Sequence, residues 1–231
     1  MTKPLITENR NELYPLHRWD VSLEEAERIQ DELRHYVRIS SFPAILQASL
    51  TAVAAGEYEG NVFAAAVTVD SGKRILESSI EQEKVVFPYR SGYLAFHQAP
   101  AILKALTQLS RLGDVMIVSG HGLAHPRRFG LASHLGVLLD FPTIGCARGL
   151  LPGNQLHPSE NPLIDWVCDT EGVVGIAVYK QRYKKPYVLS IGHRVDTGTL
   201  LAFARLWMND HSTPEPLRLA RRLVREQFRK G

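Results

Sequence analysis

The 231-residue sequence is poor in cysteine, with only Cys146 and Cys168. Two isolated cysteines cannot form a disulfide framework, and they lack the spacing of a zinc-binding pair. This composition is typical of a protein from a reducing compartment. We therefore expect both cysteines to be small core residues rather than ligands or nucleophiles.

Long apolar runs are also missing. No stretch approaches the roughly 20 apolar residues that cross a bilayer, and the N-terminal segment MTKPLITENRNELYPL lacks the apolar core of a signal peptide. The sequence therefore predicts a cytoplasmic protein with no membrane partner. Its length is typical of one substantial domain, which we expect to span residues 1–231.

Neither sign of charge dominates the sequence. The formal net charge is +3, with 45% hydrophobic and 22% charged residues, which argues against disorder and permits a phosphate-bearing partner without requiring one. Much of the positive excess lies in the C-terminal stretch LRLARRLVREQFRK. We interpret that stretch as a solvated amphipathic helix rather than a nucleic-acid patch.

The hydrophobic pattern predicts an α/β protein. Ser22 and Glu25 form a capping box that opens a helix over about residues 22–38. Three antiparallel strands follow, at residues 44–53, 62–70 and 74–86, with a turn at residues 54–61.

The second half of the chain alternates helices and strands. A helix at 99–113 precedes a strand that ends in the glycine-rich turn after Val118, and a helix at 129–140 precedes a strand at 142–148. A hairpin and two closing helices complete the chain. Three antiparallel strands followed by helix-connected parallel strands is the order of the ribonuclease H-like fold, with a mixed central sheet flanked by helices.

Several motifs, in order along nearly the whole chain, resemble the endonuclease V family, which cuts nucleic acid near deaminated purines. They are LHRWD (16–20), FPYRSGYLAF (87–96), GHGLAHPRRFGLASHLG (120–136), PTIGCAR (142–148), IGHRVD (191–196) and PEPLRLA (214–220). The resemblance implies the same ribonuclease H-like fold.

The resemblance also implies a site for Mg²⁺, but its three carboxylate positions correspond to Leu50, Gln98 and Ser119. Two-metal cleavage needs negatively charged oxygen ligands, which leucine, glutamine and serine do not supply. We therefore predict no metal and no cofactor at these vacated positions, and no cleavage by the usual mechanism.

The remaining catalytic candidates are Arg148, at the position of the family's lysine, and His193, which the resemblance places near the scissile phosphate. Arginine keeps the charge but cannot transfer protons. Two rebuilt chemistries stay open. His97, His121 and His193 could hold a softer metal such as zinc, and Ser119 beside His121 could support metal-free nucleophilic catalysis together with Gln98.

By resemblance, the pocket for the extruded base is better preserved. The family's wedge, the segment that opens the strand beside the damaged base, corresponds to Pro88-Tyr89-Arg90-Ser91. Tyr89 in this wedge can stack on a base. Two guanidiniums in the glycine-rich turn, those of Arg127 and Arg128, suit phosphate. The expected base-binding residues are Tyr89, Gly92, Leu94, Gly122, His125, Gly130 and Leu131.

Three functions remain open at this point. The first is an endonuclease V-like pseudonuclease of this DNA repair family, which binds DNA, RNA or a purine nucleotide-like molecule in the inherited pocket without Mg²⁺-dependent cleavage. The second is an enzyme that uses metal-independent or His-metal chemistry on a nucleobase, a nucleotide or a related small molecule. The third is conventional cleavage near inosine, which fits the overall resemblance but not the ligand positions.

Overall fold

The computed structural model describes residues 16–181, 185–208 and 213–229. Its helices are α1 Leu23–Leu33, α2 Leu94–Thr107, α3 Leu131–Leu139, α4 Thr197–Trp207 and α5 Glu215–Gln227. Its strands are β1 Leu50–Tyr58, β2 Asn61–Val69, β3 Ile75–Lys84, β4 Val115–Val118, β5 Thr143–Arg148, β6 Gln155–Pro158, β7 Ile164–Asp169, β8 Gly172–Val178 and β9 Tyr187–His193. None of the helices in these ranges is long and apolar enough to cross a membrane.

The strands form one mixed sheet in the order β3-β2-β1-β4-β5-β9-β8-β7-β6. The first three strands are antiparallel, whereas β4 runs parallel to β1 and β5 runs parallel to β4. From β5 to β6 across the sheet, every neighbouring pair is again antiparallel. The predicted ribonuclease H-like fold is thereby confirmed.

Helices cover both faces of this sheet. On β1, Val53 packs in the cluster that contains α2 and α3 side chains, and its neighbours Ala52 and Ala54 pack in the cluster that contains α4 and α5 side chains. Successive strand residues point to opposite faces, so an apolar run is buried on both sides. This is why β1 is apolar through most of its length rather than alternating.

The first helix begins where the capping box predicts. Ser22 is its N-cap, and the Ser22 hydroxyl accepts a hydrogen bond from the Glu25 backbone N–H at 3.1 Å. The α-helix ends at Leu33 and continues as a single 3₁₀ turn over Arg34–Tyr36, so it is shorter than predicted. Its buried face carries Gln30 into the interior, beside the site described below.

The predicted position of the first strand is wrong. Pro43–Leu46 forms a 3₁₀ turn, and β1 runs from Leu50 to Tyr58 through the stretch predicted as a turn. The hairpin instead turns at Glu59 and Gly60, whose φ angles are +49° and +73°. Two consecutive positive φ angles match the twist of a two-residue hairpin, and glycine adopts them freely.

Two strands lie where the sequence pattern predicts none. These are β6 and β7. In the order of strands across the sheet, β7 lies next to β8 and β6 forms the outer edge. All four residues of β6 are exposed, so β6 lacks the buried apolar face from which a strand is predicted. An exposed edge strand is held by its backbone pairing, here with β7, rather than by a buried pattern.

Candidate functional site

A cavity of about 310 Å³ opens where β4 and β5 end. Its walls are Gln30 of α1, residues within 89–95 before and within α2, parts of the turn from Ser119 to Leu131 and of the segment from Cys146 to Leu151, and Arg221 of α5. The carboxyl ends of adjacent parallel strands are where open α/β sheets bind ligands. The volume lies at the lower end of the roughly 300–1,000 Å³ typical of small-molecule sites.

Most of the predicted site residues meet in this cavity. Those that line it are Tyr89, Gly92, Leu94, Ser119, His121, His125, Gly130, Leu131 and Arg148. Those that do not line it are Leu50, Gln98, Gly122, Arg127, Arg128 and His193.

His125 contributes to the cavity wall through contacts with the protein. Its Nε2 donates to the Gly92 carbonyl at 3.0 Å, and its Nδ1 accepts from the Arg127 backbone N–H at 3.2 Å. Burial, with a smaller effect of the Arg127 charge, lowers the pKa of His125 to about 4. The imidazole is therefore neutral at pH 7 with its proton on Nε2, and both ring nitrogens have protein partners.

The Gly92 carbonyl, just after the wedge, accepts three hydrogen bonds that connect the wedge to the rest of the cavity wall. Besides His125, it accepts from Gln30 Nε2 at 3.1 Å and from the Arg127 guanidinium at 2.9 Å. Gly92 has a φ of +85°, and a side chain there would approach Arg127 to 3.1 Å. Glycine is thus required at this bend, which fixes the loop carrying Tyr89.

Gly122 and Gly130 serve close backbone packing, and Gly130 also lines the cavity. A Cβ at Gly122 would lie 2.0 Å from the carbonyl oxygen of Ile191, and one at Gly130 would lie 2.3 Å from that of His121. Real Cβ atoms do not approach backbone oxygens so closely. Both glycines therefore hold the turn against β9 and against itself.

The two turn arginines are not placed on the cavity, contrary to the expectation that they meet phosphate. Arg127 Nε donates to the Gln30 side-chain oxygen at 2.7 Å, and its guanidinium lies 4.3 Å from the centre of the Tyr93 ring. Arg128 forms an ion pair with Asp169 outside the cavity. Both guanidiniums are held by protein partners that compete with a ligand.

Leu50 is also placed away from the cavity, which corrects its assignment as a vacated metal position. It begins β1, is fully buried and pairs with Val115. Ser119 lies further along the sheet, where its N–H donates to the Val53 carbonyl at 2.9 Å. The β1 residue next to Gln98 is Ala55, whose carbonyl accepts from Gln98 Nε2 at 3.4 Å. Leu50 is five residues earlier, roughly 16 Å along the strand.

His193 lies at the other end of β5 from Arg148. In the antiparallel β5–β9 pair, His193 is opposite Thr143, and Arg148 is opposite Tyr187. Five residues of β5 separate the two levels, roughly 16 Å. His193 Nε2 contacts Asp140 at 3.1 Å, and its Nδ1 accepts from the Arg38 N–H. The structure therefore does not place His193 beside the cavity.

Arg221, which was not among the predicted site residues, enters the cavity from α5. Arg221 Nε donates to the Ser119 hydroxyl at 3.0 Å, and one terminal nitrogen donates to the Cys146 carbonyl at 3.2 Å. A usable signal existed, because Arg221 follows the buried Leu217 by four residues and precedes the buried Val224 by three. That spacing puts residue 221 on the buried face of an amphipathic helix.

The comparisons agree with the fold and the order of the motifs. Residues 33–222 match the sequence profile of the Endonuclease V family. The chain belongs to this family. It is 39% identical over 209 residues to Endonuclease V of Roseiflexus sp. (strain RS-1), covering 87% of this chain and 91% of that protein.

Solved Endonuclease V structures share the fold. The Streptomyces avermitilis protein superposes with a TM-score of 0.83 at 34% identity, covering 92% of this chain and 95% of its own. The Ciona intestinalis protein, in complex with a 24mer DNA containing an inosine followed by a ribo-adenosine, superposes with a TM-score of 0.78. It is 24% identical and covers 90% of this chain and 98% of its own, so that likeness bears on the fold alone.

For a member of the Endonuclease V family, the metal fit can be tested on the side chains present. Beside Ser119 and Gln98, β1 offers only the alanines Ala54 and Ala55, α2 offers the neutral amide of Gln98 and β4 leads to the hydroxyl of Ser119. Across residues 16–181, 185–208 and 213–229, no three His, Cys, Asp or Glu side chains form a group that could hold a metal ion. These side chains do not fit Mg²⁺.

The histidines expected to converge on a softer metal are held apart by different partners. His97 Nδ1 contacts the Phe87 carbonyl, His121 Nε2 contacts the Gly149 carbonyl and His193 contacts Asp140. Ser119 and His121 likewise have different partners among the described residues: the Ser119 hydroxyl accepts from Arg221, and His121 Nε2 contacts the Gly149 carbonyl rather than that hydroxyl. Neither rebuilt site is assembled in this arrangement.

The cavity of this Endonuclease V family member is strongly cationic. The described residues that line it include Arg90, Arg148 and Arg221 but no aspartate or glutamate. Burial lowers the pKa of both His121 and His125, so these side chains add no positive charge at neutral pH. A site of this charge attracts anions and repels divalent cations.

Proposed function

We propose that this Endonuclease V family member binds nucleic acid by holding an extruded purine-like base in the cavity, without cleaving it by the Mg²⁺-dependent mechanism. The charge of the cavity carries the proposal. Three arginines and no carboxylate among its described lining residues favour the nucleic-acid backbone and oppose a divalent ion.

Tyr89 supports the base-binding half of the proposal. It is 63% exposed at the mouth of the cavity, and among the described residues its one ring contact is edge-on with His97, with 5.9 Å between the ring centres. An exposed aromatic ring beside a cavity can stack on a base, and an extruded base leaves a gap in the duplex that such a ring fills. The Ciona intestinalis family member was solved with an inosine-containing DNA, which makes inosine the first base to test.

Two observations argue against a replacement nucleophile. The Ser119 hydroxyl accepts from a guanidinium, which cannot remove its proton. Cys146, in the same wall, is fully buried, and burial raises the pKa of its thiol to about 11. A thiol that stays protonated at neutral pH is a poor nucleophile.

The test measures binding and cleavage on the same oligonucleotides. Fluorescence anisotropy compares single and double strands that contain one inosine with identical strands that contain guanosine, in EDTA and in Mg²⁺ at equal ionic strength. We expect tighter binding to the inosine strands, the same affinity in EDTA as in Mg²⁺, and no cleavage product on denaturing gels.

Ser119→Ala provides the matched control for cleavage, because it removes the hydroxyl at one of the family's three carboxylate positions and leaves the three arginines. Mg²⁺-dependent cleavage by the wild-type protein that Ser119→Ala abolishes would refute the proposal. Equal affinity for inosine and guanosine strands would refute its base-binding half.

A further inference from the structure

Arg221 is held in the cavity wall by neutral groups. Its three hydrogen bonds go to the hydroxyls of Ser119 and Thr213 and to the Cys146 carbonyl, at 3.0, 3.4 and 3.2 Å. In the part of the chain that the structure describes, no carboxylate forms an ion pair with Arg221. The other arginines around the cavity turn, Arg127 and Arg128, each have one. The positive charge of Arg221 is therefore positioned without being neutralised.

The guanidinium of Arg221 also keeps donors in reserve. A guanidinium has five N–H groups, and the three bonds use Nε–H and one N–H on each terminal nitrogen. One N–H on each terminal nitrogen is left for a ligand. Planar guanidiniums with paired donors match the oxygens of phosphate, and hydrogen bonds between such charged groups are strong.

Arg148 and Arg90 extend this charge toward solvent. Arg148 ends β5, two residues after Cys146, and its guanidinium lies 5.9 Å from the centre of the Tyr187 ring. Arg90 lies next to Tyr89 in the wedge and is exposed. Both line the same cavity as Arg221, again with no carboxylate in an ion pair among the described residues. The three arginines thus surround the space next to Ser119.

We propose that Arg221, assisted by Arg148, binds the phosphate group of the nucleotide whose base enters the cavity, so that a guanidinium stands where the family's metal site would be. The inference rests on the proposed function and adds its phosphate subsite. The ligand chemistry is a phosphate ester, either a phosphodiester within a strand or the phosphate of a free purine nucleotide. Binding through arginine requires no metal ion.

Three ligands and two glutamine substitutions test the phosphate site. The ligands are inosine, inosine monophosphate and an inosine-containing single strand, each measured by calorimetric titration in EDTA. Arg221→Gln removes the charge and keeps an amide that can reach Ser119. The matched control is Arg225→Gln, one helical turn later, which removes the same charge from an exposed position.

We expect Arg221→Gln to weaken binding of the two phosphate-bearing ligands by about 10- to 100-fold and to leave inosine unchanged. Arg225→Gln should change the affinity for inosine monophosphate by less than about twofold. For the single strand, the slope of log K against log salt should fall by about 0.7 in Arg221→Gln, the value for one lost phosphate contact. If Arg221→Gln binds the single strand more weakly but binds inosine monophosphate as wild type does, the site recognises a phosphodiester within a strand.

Equal affinity of wild type and Arg221→Gln for both phosphate-bearing ligands, with an unchanged salt slope, would overturn the inference. In that case a preference for inosine strands would still uphold the proposed function. Conversely, no preference for inosine with a clear effect of Arg221→Gln would reject the base site and keep the phosphate site. If Arg221→Gln fails to fold, Arg148→Gln, at the exposed end of β5, is tested instead. Unchanged affinity for both phosphate-bearing ligands together with an unchanged salt slope in Arg148→Gln would overturn the inference.

Discussion

Protonation of His125 should destabilise the cavity wall at acidic pH. Its Nε2–H donates to Gly92 and its Nδ1 accepts from Arg127, so a second proton would replace the acceptor with a donor facing another N–H. The side chain is 7% exposed, so water cannot compensate. His125→Gln keeps a side-chain N–H donor for the Gly92 carbonyl but does not titrate.

The magnitude follows from the lowered pKa. His125 has a pKa of about 4 in the folded protein, against 6.5 for an unperturbed histidine. Between these values the unfolded chain binds a proton that the folded chain does not, so stability falls as the pH falls from 6.5 to 4. At 1.36 kcal/mol per pKa unit the loss is about 3 kcal/mol. Above pH 6.5 both states are neutral at this residue and no loss remains.

Urea unfolding of wild type and His125→Gln at pH 7.5, 5.5 and 4.5 measures this loss. His121 and His193 also have pKa values lowered by desolvation and act in the same direction in both proteins, so the difference between the two pH profiles isolates His125. Parallel profiles for wild type and variant would refute the reasoning. So would an NMR titration in which the His125 ring protonates near pH 6.5.

Three further predictions concern single substitutions. Leu50→Asp should unfold the protein or lower its free energy of unfolding by more than about 4 kcal/mol, because it buries a charge in the core. Ala55→Asp should lower it much less, because position 55 is partly exposed beside Gln98. Urea unfolding of the two variants checks the corrected position on β1. Gly130→Ala should lower the free energy of unfolding by about 1–3 kcal/mol, because its Cβ would meet the His121 carbonyl. In the control Gly198→Ala, whose Cβ has only contacts of 3.5 Å or longer, the thermal midpoint should stay within about 2 °C of wild type. A Gly130→Ala variant as stable as wild type would contradict this packing. Tyr89→Ala should weaken binding of an inosine strand by about 1–3 kcal/mol without changing the thermal midpoint, and unchanged anisotropy titrations would exclude Tyr89 from stacking.

Periodicity and local turns predict the order of the main elements, and the resemblance to the family predicts most of the cavity wall. The capping box at Ser22 fixes the start of α1, and the glycine-rich turn after Val118 identifies the end of β4 at the cavity. Both signals act within a few residues of the structure they specify. The same locality explains why β6, exposed and paired only with an edge neighbour, leaves no mark in the pattern.

The vacated metal position on β1 shows where local reasoning fails. An apolar stretch before Leu50 resembles a strand, so the strand is predicted about six residues early, and matching the flanking residues to the family likewise places the carboxylate position at Leu50. Only the pairing of Val53 with Val118 and the contact of Gln98 with Ala55 locate the correct level. Register between strands distant in sequence is not encoded in either strand alone.

Arg221 shows the same limit at longer range. Its position on the buried face of α5 can be read from the helix period, but its partner Ser119 is about a hundred residues earlier in the chain. The charge pattern of the last helix suggests solvent-facing arginines, and most of them are exposed. The exception becomes visible only when α5 packs on the sheet beside the end of β4.

The contact between Arg221 and Ser119 constrains the order in which this site could be converted back. An aspartate introduced at position 119 would find a guanidinium already within 3.0 Å of the side chain it replaces, and would form an ion pair with it before any metal ion could bind. The substitution at position 119 alone would then neutralise Arg221 without providing a free metal ligand. Arginine 221 has to be removed first, so the substitutions at these two positions depend on each other rather than adding independently.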